Sequence, residues 1–136
     1  QTFCSAYPLH RDDPARNAVV FHFSSHYEAF TATDLLIRRC DLLSTKPGEL
    51  AFFPVPKLFA KRVGDHEAAS AVRSMELGEG TAECRSPSDA AALLRKMISE
   101  RDLLRQMSEA VIQNAADGIY NGSKTAVDIA LSMKDE

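Results

Sequence analysis

The sequence predicts an α/β fold: a short parallel sheet within a three-layer domain, followed by a helical C-terminal third. Two observations carry this. Short apolar runs rich in β-branched and aromatic residues alternate with helical stretches through the first two thirds. Apolar residues then recur at steps of three and four from Leu93 to Val111. Parallel strands need a crossover, which a helix usually supplies, so the alternation implies a Rossmann-like parallel sheet.

Gln1 to Arg16 is turn-rich, with Pro8 and Asp13 before Pro14, and is expected to be an arm or connector (1–16) ahead of a single domain (17–136). Asn17 to Phe23 (NAVVFHF) predicts a buried strand. Thr33 and Asp34 are expected to cap a helix through Leu35, Leu36 and Ile37, with Arg38 and Arg39 in its last turn, where the dipole favours cations. Asp41 to Thr45 predicts a second strand, ended by Lys46, Pro47 and Gly48. A helical turn can start at Glu49, but Pro54 and Pro56 forbid a long helix, and Lys57 to Ala60 predicts a third strand.

Asp65 is expected to cap a helix from His66 to about Leu77, ended by Gly78 and Gly80. Thr81 to Cys84 is a candidate fourth strand. Ser86, Pro87 and Asp89 supply a cap, a proline at the first helical position and an acid three residues after the cap. Leu93, Leu94, Met97 and Ile98, then Leu103, Leu104, Met107 and Val111, predict one or two core-facing helices broken near Ser99. Lys124 to Met133 predicts a last short helix.

A formal charge of -3 and the absence of a basic run argue against nucleic acid or anionic membrane as a partner. Cys4, Cys40 and Cys84 are odd in number and widely spaced, which fits reduced thiols in a cytoplasmic protein better than a disulfide framework. The longest apolar run, Leu50 to Val55, is far too short to span a membrane, and no secretory leader is recognisable. A chain that opens on Gln1 rather than Met is expected to be a piece of something longer.

In a parallel sheet, ligands bind beyond the carboxyl ends of the strands. The chemically unusual residues fall there. Thr45, Lys46, Gly48 and Glu49 combine close backbone approach, a cation for an anionic group and a carboxylate for hydroxyls, a mixture suited to a nucleotide; the alternative is a plain turn. Gly64, His66 and Glu67 lie at a predicted helix start, where free N–H groups attract phosphate, although Asp65 and Glu67 can equally serve only as caps. His22 and His26 lack a third ligand, so no metal is expected.

These segments, in order, are Asp34 to Glu49 (DLLIRRCDLLSTKPGE), Arg62 to Ala68 (RVGDHEA), Ser74 to Gly80 (SMELGEG), and the tail from Ser86 to Leu94 and Glu100 to Met107. Together they resemble the C-terminal, nucleotide-sugar-binding domain of GT-B glycosyltransferases, such as monogalactosyldiacylglycerol synthases and the N-acetylglucosamine transferases of peptidoglycan assembly. The likeness runs from about Val19 to Met133. It implies that Glu49 holds ribose hydroxyls, that Gly64, His66 and Glu67 meet the diphosphate or sugar, and that Thr45, Lys46 and Gly48 line the same cleft. It also implies a nucleotide diphosphate sugar, such as a UDP-sugar, as ligand, and glycosyl transfer with neither metal nor other cofactor.

The sequence departs from that family where KPGEL runs directly into Phe52, Phe53, Pro54, Val55 and Pro56 in place of a full helix, and where Ala69 replaces a common asparagine. The chain is too short to hold both GT-B halves. The resemblance therefore implies a donor-side domain that needs an N-terminal acceptor domain or partner subunit and does not turn over alone. The rival expectation is a noncatalytic GT-B-like module for regulation or dimerisation, as a homodimer.

Overall fold

A computed structural model describes residues 21–133, apart from the side chain of Glu49. The expected arm (1–16), Cys4 and the first four residues of the expected strand at Asn17 lie outside the described residues. The fold is mixed α/β, and it falls into two compact units divided between Arg39 and Cys40.

In the first unit, Phe21 to Phe23 carry no regular structure, so the expected strand is absent from its described end. Helix α1 spans His26–Ile37 and begins well before Thr33. Ser25 caps it, with its hydroxyl accepting from the N–H of Tyr27 at 3.2 Å. Thr33 lies inside the helix, and its hydroxyl donates to the carbonyl of Ala29 at 2.8 Å, the bond by which a mid-helix threonine satisfies itself. Arg38 is the C-cap, one residue past the helix, and pairs with Asp34 at 3.3 Å.

The second unit is built on two parallel strands, β1 (Leu43–Thr45) and β2 (Lys57–Phe59), with Leu43, Ser44 and Thr45 opposite Lys57, Leu58 and Phe59. Flanking bonds extend the pairing, from Leu43 N to Pro56 O at 2.9 Å and from Ala60 N to Thr45 O at 2.8 Å. The connection holds only a 3-10 turn, Glu49–Phe52, as the two prolines require.

β2 is buried along its whole length. Because successive strand residues point to opposite faces, Leu58 joins a cluster with Cys84, Met97 and Met107, while Phe59 joins Ala51 and Ala71. These two apolar groups thus hold β2 from its opposite faces.

Gly64 rather than Asp65 caps the next segment, which opens with a 3-10 turn, Asp65–Glu67, before α2 (Ala68–Glu76); the Asp65 carboxylate pairs with Arg62 at 3.2 Å. Gly78 ends α2 at φ 72°, a conformation that favours glycine. Residues 81–84 run beside β2 without forming a strand. Thr81 N donates to Lys57 O and Cys84 N to Phe59 O, but the N–H of Phe59 goes to the Thr81 hydroxyl at 3.0 Å, and that side-chain bond breaks the ladder.

Helix α3 spans Pro87–Ser99 with the expected cap, Ser86 accepting from Asp89 N at 3.1 Å. Glu100, at φ -101° and ψ 79°, separates it from α4 (Arg101–Ala116). Met97, Met107 and Val111 are buried as the periodicity demands, whereas Leu94 and Ile98 face outward, Ile98 being 65% exposed. A 3-10 turn, Ile119–Asn121, leads to α5, Gly122–Ser132.

Candidate functional site

Thr45 closes β1, and its carbonyl accepts from Ala60, so the turns that follow the two strands leave the same end of the sheet. Lys46 and Glu67, on those two turns, form an ion pair. Oε1 of Glu67 takes the Lys46 ammonium, while Oε2 accepts from the N–H of Val63 at 2.8 Å and of Gly64 at 3.3 Å. The bond to Gly64 is the reach-back of a capping acid to the first residue of its turn.

Lys46 and these two N–H groups hold the Glu67 carboxyl down to about 2, the Lys46 hydrogen bond acting most strongly and burial opposing it. Glu67 is only 4% exposed, whereas 46% of the Lys46 side chain is open. Gly48 lies against the pair: a methyl group there would sit 3.3 Å from Lys46 Nζ and 3.4 Å from Glu67 Oε1.

Four of the seven sequence-predicted residues, Lys46, Gly48, Gly64 and Glu67, thus meet at one place. Thr45 is adjacent through the backbone. The exposed His66 folds its ring over Gly64, where a methyl group would come within 2.6 Å of Cε1. Glu49 opens the 3-10 turn next to Gly48, with its side chain outside the described part.

A cavity of about 390 Å³ opens beside the start of α3, lined by Ala60, Lys61, Cys84, Arg85, Ser86, Pro87 and Ala90. The Lys46 and Glu67 side chains do not contribute to it. Lys61 and Arg85 give it a cationic rim, which sequence reasoning did not single out. The buried Cys84 thiol in its wall is pushed up by burial first and by the Asp89 charge second, which keeps it a poor nucleophile. Among the described residues, no group of three His, Cys, Asp or Glu is arranged to hold a metal ion. No helix among them is long and apolar enough to cross a membrane.

A second polar cluster also escaped the sequence reading. Lys57 (0% exposed) donates to Glu79 Oε1 (1% exposed) at 2.8 Å. Ser74 reaches the same oxygen at 3.5 Å, and Asn114 and Tyr120 both donate to Oε2. Burial lowers the Lys57 ammonium from its ordinary value, against the pull of Glu79. It raises the Tyr120 phenol, with Glu79 adding to the rise. The available signal was a lysine inside the apolar run VPKLF and an acid between two glycines.

Comparison with known proteins gives no match among curated proteins and none among solved structures. A family model does match, over residues 1–131, and its description is a domain of unknown function. The chain belongs to that family, DUF6938.

Proposed function

We propose that this chain is the donor-side domain of a GT-B glycosyltransferase, binding a nucleotide diphosphate sugar at the carboxyl ends of β1 and β2. The observation that carries the reading is the Lys46–Glu67 pair, which joins the turns after two parallel strands at the place where such sheets bind ligands. Lys46 would face the diphosphate, Gly48 would admit it close to the backbone, and Glu49 would hold the ribose. Gly64 and His66 would flank the phosphates, and Thr45 would form the floor.

The matching finer fold is Rossmann-like and three-layered, and the separation of Leu58 and Phe59 into different apolar clusters supports it. In the reaction, a sugar leaves the nucleotide diphosphate for an acceptor without a metal, and the Lys46 ammonium stabilises the leaving diphosphate. The acceptor side belongs to an N-terminal domain or partner subunit. A cytoplasmic location, with UDP-sugars available, is part of the same proposal.

One observation favours the noncatalytic module instead. Both Glu67 oxygens are already engaged inside the chain, as a purely structural cap would be. Calorimetric titration with UDP separates the two readings. The donor-side domain gives weak binding that Glu49→Ala abolishes, and the module gives none.

A further inference from the structure

The two members of the Lys46–Glu67 pair are unequal. Glu67 is buried and pinned by two backbone N–H groups, so it stays where it is. Lys46 is half open, on a flexible four-carbon stem with three rotatable donors, so it is the member that an incoming anion can reach. Gly48 keeps the backbone close beside the pair with no side chain against it, since a methyl group there would already stand 3.3 Å from Nζ and 3.4 Å from Oε1. An anion arriving at the strand ends therefore meets an ammonium that a fixed carboxylate already holds.

We propose that this pair is a charge gate: a diphosphate binds by taking the Lys46 ammonium from Glu67, which remains bound to Val63 and Gly64. The proposal rests on the donor-side reading and adds a regulation to it. Because Glu67 competes for the ammonium, a weakly charged anion gains little from Lys46, whereas a diphosphate, with more charge and more acceptor oxygens, wins it. The gate thus sets both the affinity and the preference for diphosphate over monophosphate.

The test is titration of inorganic pyrophosphate and orthophosphate into the full chain at low salt, with Glu67→Gln, Lys46→Met and the double variant. Glu67→Gln keeps an acceptor for the backbone N–H groups but removes the competing charge. It is expected to bind pyrophosphate about tenfold more tightly, equivalent to about 1.4 kcal/mol. Its preference for pyrophosphate over orthophosphate should narrow. Lys46→Met should weaken pyrophosphate binding at least about tenfold, and the double variant should match Lys46→Met, since both charges act through one ammonium.

In the unsubstituted protein, pyrophosphate should shift the Lys46 side-chain ammonium resonances, an arm that does not depend on the fold of any variant. Glu67→Gln binding no more tightly while folded, or Lys46 resonances that pyrophosphate leaves unmoved, overturns the gate. UDP separates this from the parent reading. UDP binding with Lys46 unmoved ends the gate and keeps the donor-side domain. The expected pyrophosphate behaviour with UDP no tighter than pyrophosphate keeps the gate and ends the nucleotide-sugar reading.

Discussion

Lys57 and Glu79 lie 22 residues apart in sequence and meet at 2.8 Å with neither side chain open to solvent. The backbone ties the same two residues together, Lys57 N donating to Glu79 O at 2.8 Å. Charges taken out of water this completely persist only when hydrogen bonds satisfy them, and Ser74, Asn114 and Tyr120 supply the rest. Glu79 therefore fastens β2, the end of α2, α4 and the turn before α5 to one carboxylate.

Removing one member of that pair should be far worse than removing both. Glu79→Ala leaves Lys57 buried and unpaired and is expected to cost ~3–5 kcal/mol in urea unfolding, whereas Lys57→Met with Glu79→Leu should recover a large part of it. If the single and double variants unfold at the same urea concentration, the pair carries no such penalty.

Gly80 has a packing reason that Gly122 lacks. A methyl group on Gly80 would sit 2.5 Å from Ser74 Oγ and 2.8 Å from Phe59 Cε2, while one on Gly122 meets nothing within 4 Å. Gly80→Ala is expected to destabilise by ~1–3 kcal/mol through overpacking. Gly122→Ala, at the start of α5, should be neutral or stabilising by up to ~1 kcal/mol. Thermal melts of the two variants check the contrast.

How much of this was legible in the sequence depends on how local the deciding interaction is. Ser86, Pro87 and Asp89 carry the start of α3 within four residues, and the structure has it there. Lys57 to Ala60 was readable as a strand because Pro54 and Pro56 bias the chain there towards extended geometry, and β2 forms at Lys57–Phe59. The start of α1 was not, since Phe21 to Phe23 look like strand residues and the capping Ser25 then reads as a strand end. Residues 81–84 fail as a strand because one hydroxyl, that of Thr81, intercepts a ladder bond.

The site divides in the same way. Turns at Thr45 to Glu49 and Gly64 to Glu67 follow from strand order, but the Lys46–Glu67 and Lys57–Glu79 pairs each span more than twenty residues, and no spacing rule announces them.

Glu67 makes the acid side of the stability curve predictable. Its folded carboxyl is held at about 2, below its ordinary value of 4.5, so the unfolded chain binds the proton more readily. Its contribution is present above about pH 4.5 and is lost as pH falls towards about 2. Denaturant unfolding between pH 2 and pH 6 should show Glu67→Gln with a shallower acid decline than the unsubstituted chain. Equal slopes would mean that the pair with Lys46 does not persist in solution.

Tyr120 governs the alkaline side with the opposite sign. Burial and the Glu79 hydrogen bond raise its phenol above the ordinary value of 10, so the folded chain keeps a proton that the unfolded chain gives up. That stabilisation is complete below pH 10 and declines as pH rises beyond it. The buried Lys57 ammonium, lowered by desolvation, pushes the other way, adding stability as pH climbs towards 10.5. Tyr120→Phe removes one of four donors to Glu79 and should cost ~1.5–3 kcal/mol at neutral pH, the range for losing a hydrogen bond to a charged group. Above pH 10 that difference should shrink, because the unsubstituted chain is losing its phenol proton advantage while the variant has none to lose. A difference between the two proteins that stays constant from pH 7 to pH 11 would show that the hydroxyl does not bind Glu79.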